Sequence, residues 1–231
     1  MNIQEYDILN AIFTTTNATQ RSLADCSGHS LGIVNRSIKK LTSDGYLTTT
    51  MQPTDKAITL YNHSVPQNAV ILAAGFGMRM VPINTETPKG LLEIHDEALI
   101  ERIIRQLHEA NIHNIYIVVG FMKEQYEYLI DEYDVTLIVN ADYASKNNLH
   151  SLNLASEYLK NSYIIPCDIW CKDNPFHKHE FYSWYMVSDA QTTESSVRVN
   201  RKMELTTISK TAIGNAMIGI SYLSDNDSSY I

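Results

Sequence analysis

Apolar positions follow two regimes along the 231 residues. A helical recurrence dominates the first 65, and short solid apolar runs alternating with amphipathic stretches follow. In the first regime Ile3, Tyr6, Leu9, Ile12 and Phe13 recur at helical spacing. A second helix is predicted from Thr19, whose hydroxyl can cap it, and Gly28 marks the turn beyond. Ser30 is the predicted cap of a third helix over residues 31–43, with Leu31, Val34, Ile38 and Leu41 as its apolar stripe and Gly45 as its stop. Residues 46–50 and 57–61 flank Gln52-Pro53-Thr54-Asp55, so two strands around a turn are expected there.

The polar, proline-bearing stretch 62–68 separates the regimes and is the expected domain boundary, giving units 1–65 and 66–231. Beyond it the pattern predicts strand 69–74, helix 97–110, strand 114–119, helix 123–133, strand 136–140, helix 150–159 and strand 162–166. Strands alternating with helices imply right-handed crossovers and an α/β fold with a mainly parallel, Rossmann-like sheet. Ligands of such sheets bind beyond the carboxyl ends of the strands, where Gly75, Gly120, Asn140 and Asp168 fall. The Ser- and Thr-rich stretch 189–210 includes a predicted antiparallel strand at 196–200 and is a candidate lid.

Composition narrows the function classes. An apolar share of 44% is enough for a core, and no apolar run is long enough to span a bilayer. The first residues lack a basic, apolar export pattern, so a cytoplasmic protein is expected. Cys26, Cys167 and Cys171 have neither the number nor the spacing of a disulfide framework or a zinc site. Residues 1–65 carry five basic and five acidic groups, so the remainder holds the whole net charge of −8. An acidic body that grips a polyanion must concentrate its cations at the site and recruit divalent metal.

The densest chemistry lies in AVILAAGFGMRMVPINTETPKG, residues 69–90. Its unbroken apolar start suits a strand covered on both faces. Gly75 and Gly77 let backbone N–H groups approach an anion, Arg79 offers a forked guanidinium, and the prolines set down Lys89 as a point charge. The spacing departs from the dinucleotide fingerprint, because Met80 takes the third glycine's place, and from the P-loop.

This loop resembles that of the sugar-nucleotide pyrophosphorylase superfamily, nucleotidyltransferases that join a nucleoside triphosphate to a phosphorylated small molecule. Within it the chain most resembles the bacterial CTP:phosphocholine cytidylyltransferases. VVGFMKEQYEYL (118–129), NNLHSL (147–152), IIPCD (164–168) and MIGISYLSD (217–225) follow that family's order. The resemblance implies Mg²⁺-dependent attack of phosphocholine on the α-phosphate of CTP. It makes Lys89, Arg79 and Asp168 the catalytic groups, and Asp168 and Asp225 the metal-binding carboxylates, with Asp227 near enough to exchange roles with Asp225. Nucleotide contacts would come from Ala73, Ala74, Gly75, Gly77, the turn at Gly120, and Asn147 and Asn148. The family continues past the second aspartate, whereas this sequence ends at Ile231. A sugar-1-phosphate nucleotidyltransferase using UTP or dTTP would share the same loop and metal logic.

A quaternary ammonium is recognised by aromatic faces and carboxylates. Candidates are Tyr143, Trp170, Tyr182, Trp184, Tyr185 and Tyr222, with Trp170 and Trp184 first. The first 65 residues resemble the winged helix-turn-helix domains of bacterial regulators of the MarR kind. That resemblance would expose Ser30, Asn35, Arg36, Lys39 and Lys40 to DNA, with Lys56 near a phosphate. Such a module can equally mediate dimerisation, and a DNA-binding regulator that senses nucleotide is the reading from outside enzymology.

Overall fold

The computed structural model describes residues 1–77, 86–200, 202–209 and 211–228. Its contacts divide the chain into two units, Met1–Val65 and Pro66–Ile231.

The first unit opens with α1 (Ile3–Thr14), α2 (Gln20–Ser27) and α3 (Leu31–Ser43). Each has the local chemistry that starts a helix. Asn2 and Glu5 form a reciprocal cap on α1, Thr19 and Ser22 do so on α2, and Ser30 accepts from the Ile33 N–H on α3. Ile8, Leu9, Ile12, Leu23, Val34, Ile38 and Leu41 close the core between them.

The expected hairpin is largely replaced by a helix. Leu47 and Pro53 bridge across a tight turn, but residues 57–61 belong to α4 (Asp55–His63). Ala57 is fully buried, Leu60 packs against the core, and the Tyr61 ring stacks on Phe13 at 4.0 Å. Spacings of three and four are helical. The β-branched Ile58 and Thr59 suggest a strand by type, yet Ile58 is exposed and has no packing face that would enforce one.

In the second unit β1 (Asn68–Ala73) is followed by the short hairpin β2 (Glu93–Ile94) and β3 (Glu97–Ala98), then α5 (Leu99–Glu109) and β4 (Asn114–Val119). Next come α6 (Tyr128–Tyr133), β5 (Thr136–Val139), α7 (Asn148–Leu154) and β6 (Ser162–Pro166). The described chain closes with β7 (Trp184–Thr192), β8 (Val197–Val199), β9 (Leu205–Thr207), β10 (Gly214–Leu223) and α8 (Asp225–Ser228). Six strands form one sheet in the order β5-β4-β1-β6-β10-β7, with β10 antiparallel to both neighbours.

Residues of β1 alternate between two apolar layers. Ala69, Ile71 and Ala73 pack under α5 with Ile100, Ile104 and Leu107, while Val70 and Ala74 face Ala155 and Leu159 beyond α7. Burial on both sides is why this strand carries no polar alternation.

Candidate active site

The register aligns the carboxyl ends of four strands. Ala73 pairs with Val119, Val119 with Val139, and Leu72 with Pro166. Gly75, Gly120, Asn140 and Asp168 therefore fall just beyond one edge of the sheet, as the sequence predicts.

At the centre of this edge the Ala74 carbonyl accepts from the Phe121 N–H at 3.1 Å, locking the turn after β1 to the turn after β4. Gly75 is exposed, and nothing lies within 4 Å of where a Cβ would stand. Gly77 has φ +70°, a left-handed conformation that side chains disfavour. Arg79 lies outside the described residues, as does Pro82.

On the β6 side, the Lys89 ammonium lies 2.8 Å from Asp168 Oδ2. These residues are far apart in sequence, and packing brings them together. Lys89–Leu91 forms a single 3₁₀ turn, and Gly90 is wedged against Cys167 and the Tyr126 hydroxyl: a Cβ there would lie 3.2 Å from Cys167 Cβ and 3.1 Å from that oxygen. Burial, reinforced by the neighbouring Asp168 charge, pushes the Cys167 thiol up to about 12, and burial likewise raises the Tyr126 phenol. Both stay neutral and form an inert floor. The Lys89 and Asp168 side chains remain 22% and 32% exposed, so this ion pair is within reach of a solute.

Other predicted site residues fall differently. Asn147 caps α7 by accepting from the Leu149 N–H at 3.1 Å, and both Asn147 and Asn148 are exposed. Asp225 does not join Asp168. Because β10 runs antiparallel to β6, with Leu223 opposite Ser162, Asp225 emerges at the amino end of β6. There its N–H donates to Asn161 and its carboxylate lies 3.3 Å from the Lys160 ammonium. Six residues of extended chain separate Ser162 from Asp168, roughly 20 Å. Asp227 follows Asp225 in α8 and belongs to that far edge as well.

The aromatic pair separates too. Trp184 is opposite Tyr222, which is opposite Tyr163 near the start of β6, and the Trp184 and Tyr163 rings meet edge to face at 5.9 Å. Trp184 thus packs against the core, away from Asp168, and Tyr222 is 1% exposed beside it. Trp170 stays near Asp168 in sequence, but the Arg102 guanidinium lies 4.7 Å from its ring centre and His95 adjoins it at 5.7 Å. A cation already occupies one face.

Sequence reasoning left Phe76 unassigned. It meets Phe121, of the turn expected to contact nucleotide, edge to face at 4.5 Å, and Phe121 lies 6.4 Å from Tyr143, a ring cluster at the site's edge. The available signal was an aromatic directly after a glycine at the ends of two neighbouring strands. At the far end of β6 the Tyr163 hydroxyl contacts Glu180 at 2.5 Å, and Glu180 also pairs with His177 at 2.9 Å. His177 therefore belongs to an ion pair within its own loop.

In the first unit, Gln20, Leu31, Gly32, Asn35, Arg36 and Lys39 line an open groove of about 570 Å³. Arg36 and Lys39 are exposed and have no ion pair among the described residues. Lys40 pairs with Asp44 at 2.9 Å. Lys56, expected near a phosphate, donates to the Asp44 carbonyl at 2.8 Å and covers the Tyr46 ring.

Parallel strands ending in a glycine turn, beside a lysine and a reachable carboxylate, define a phosphate-handling α/β domain. Residues 69–186 match the family model described as MobA-like NTP transferase domain, and the chain belongs to that family. Residues 1–48 match a winged helix-turn-helix DNA-binding model. The choline-phosphate cytidylyltransferase of Streptococcus pneumoniae is 44% identical over 117 residues, covering 51% of this chain and 51% of that protein. The one from Haemophilus influenzae is 42% identical over 118 residues, with the same coverage. The chain spans about half the length of these curated relatives. A solved structure of the S. pneumoniae CTP:phosphocholine cytidylyltransferase superposes with a TM-score of 0.67 at 34% identity, covering 72% of this chain and 74% of that one.

Proposed function

We propose that the second unit transfers a cytidylyl group from CTP to phosphocholine, giving CDP-choline and pyrophosphate. The observation that carries this reading is the Lys89–Asp168 pair at 2.8 Å, set beside the glycine turn after β1. The similarity to two choline-phosphate cytidylyltransferases supports CTP as the nucleotide and phosphocholine as the acceptor.

A phosphate oxygen of the acceptor attacks the α-phosphorus and forms the new P–O bond. The bond to the bridging oxygen breaks, and its electron pair leaves with pyrophosphate. Such a displacement needs alignment and charge neutralisation rather than a protein nucleophile. Lys89 neutralises oxygens around the α-phosphate, and backbone N–H groups at Gly75 and Gly77 cradle the phosphates. Arg79 is assigned to the departing pyrophosphate.

Among the described residues no three His, Cys, Asp or Glu side chains gather as a metal cluster. Asp168 alone nevertheless fits Mg²⁺, which takes one or two carboxylates and fills its remaining positions with water and phosphate oxygens. When bound, the ion would lower the repulsion between the two anionic reactants. Asp225, paired with Lys160 beside the amino end of β6, has no part in this reading.

Pyrophosphate release from a panel of triphosphates with phosphocholine or glucose 1-phosphate tests the reading. Turnover with CTP and phosphocholine supports it, and turnover only with a sugar phosphate refutes it.

Residues 1–65 are assigned to duplex DNA, read from the exposed face of α3. The groove bearing Arg36 and Lys39, which have no ion pair among the described residues, with the amides of Asn35 and Gln20, supports this. A footprint on the gene's own upstream DNA, with and without CTP, tests it, and absence of protection rejects it.

A further inference from the structure

Arg102, on α5, is joined to the chain leading from each member of the Lys89–Asp168 pair. Its Nη1 donates to Glu97 Oε2 in β3 at 3.0 Å, while Nε and Nη2 donate to the Cys171 and Lys172 carbonyls at 2.8 Å each. The first bond holds the hairpin that follows Lys89, and the other two hold the loop that follows Asp168. Both connections are short. The Lys89 carbonyl accepts from the Leu92 N–H at 3.2 Å and the Leu92 carbonyl from the Leu99 N–H at 3.1 Å, so the lysine's turn, the β2–β3 hairpin and the start of α5 form one hydrogen-bonded run. On the other side the Cys167 N–H donates to the Leu72 carbonyl at 3.2 Å, anchoring the chain just before Asp168. Two residues beyond, the Trp170 ring meets the Arg102 guanidinium at 4.7 Å and His95, of the hairpin turn, at 5.7 Å. Gln106, one turn along α5 and 3% exposed, adds a bond to the Cys171 carbonyl at 3.2 Å.

We infer that Arg102 is a positioning residue for the transfer reaction: it spans the β2–β3 hairpin and the loop after β6, and thereby sets the separation of Lys89 from Asp168 without touching substrate. Its catalytic consequence rests on the nucleotidyl-transfer reading above, whereas the clamp itself is a property of the fold. Docking α5 does not require this network, because Ile100, Ile103, Ile104 and Leu107 already bury the apolar face of that helix. The Arg102 side chain is only 16% exposed, so its donors must be met inside the protein. The acceptors that meet them lie on the two segments that carry the ion pair. A planar fork suits the task, since it bonds two carbonyls and a carboxylate in fixed directions, which the single nitrogen of a lysine does not. Trp170, stacked on that fork, belongs to the clamp and ties the Asp168 loop to it.

The test joins reductive methylation of the full chain, mapped lysine by lysine by mass spectrometry, to pyrophosphate release from CTP and phosphocholine and a thermal melt. Arg102→Ala should speed methylation of Lys89 by about two- to fivefold, the factor carried by an ion pair that water reaches. Lys123 and Lys160, whose ion pairs lie outside the clamp, should react as before. The same variant should lower kcat by about 10- to 100-fold, the order of loss when reacting groups shift by an ångström, with a smaller change in KM. Arg102→Lys keeps the charge but not the fork, so it should restore the melting midpoint more than the rate. Glu97→Gln, which loosens the hairpin side, gives an independent variant should Arg102→Ala melt. Lys89 methylated no faster than in wild type in both Arg102→Ala and Glu97→Gln would overturn the inference, as would a rate lost only in proportion to folded fraction. Faster Lys89 methylation in the variants, beside a wild type that does not turn over CTP, would remove the nucleotide reading and leave the clamp standing.

Discussion

Replacing Lys89 with Ala separates a chemical role from a structural one. At 2.8 Å the attraction between its ammonium and the Asp168 carboxylate is about 6 kcal/mol at an effective dielectric of about 20. Desolvation and side-chain ordering offset most of that for a pair that water reaches, leaving on the order of 1 kcal/mol of stability. In a domain of this size 1 kcal/mol lowers the melting midpoint by about 2–4 °C. The catalytic loss should be much larger. Removing one preorganised charge or donor from the place where negative charge develops typically lowers turnover by about 10²–10³-fold. Pyrophosphate release from CTP and phosphocholine, measured beside a thermal melt, reads both quantities. Lys89→Ala should be nearly as stable as wild type and at least 100-fold slower. A variant within threefold of the wild-type rate would refute the assignment. So would a rate lost only in proportion to a fall in folded fraction, which would make Lys89 a brace for Asp168.

Three further outcomes follow from geometry and charge. Gly120→Ala places a Cβ 2.6 Å from Tyr143 Cβ and should cost about 1–3 kcal/mol in denaturant melts; a neutral result would contradict the close packing at that turn. The hydrogen bond and charge of Glu180 hold the His177 imidazole above its ordinary pKa. A raised folded-state value means that the stabilisation is complete below about pH 6.5, the unfolded value, and is lost as pH rises through the folded one. Melting curves of wild type and His177→Gln should differ most in mild acid and converge in alkali, and a gap that widens in alkali would reverse the sign argued here. In anisotropy titrations of the gene's upstream duplex, Arg36→Ala and Lys39→Ala should each lower the slope of log affinity against log salt by about 0.9. Lys56→Ala should leave that slope unchanged, because its ammonium is held at the Asp44 carbonyl.

Much of the sheet was legible in the sequence because its strands are short, buried on both faces and punctuated by glycine or asparagine. Residues 162–166 and 114–119 are strands with the expected bounds. The helix over 57–61 was not legible, since Ile58 and Thr59 favour a strand by type and only the burial of Ala57 and the stacking of Tyr61 on Phe13 reveal the helical period. The Lys89–Asp168 pair was legible because each residue closes or follows a recognisable run at one sheet edge. Asp225 was not, because its position depends on the direction of β10, and the mixed run of small, polar and apolar residues over 214–223 shows neither the solid apolar run of a parallel strand nor a clean alternation. Trp184 fails for the same reason: strand order and register, rather than its distance from Asp168 along the chain, bring it to Tyr163.

The central claim is that the edge beyond β1 grips a nucleoside triphosphate between the glycine turn and the Lys89–Asp168 pair. Calorimetric titration of CTP in millimolar Mg²⁺ tests it most directly. Saturable binding at one site per chain, weakened in both Lys89→Ala and Asp168→Asn, is the predicted result. Absence of binding, or affinity indifferent to both substitutions, would contradict the account.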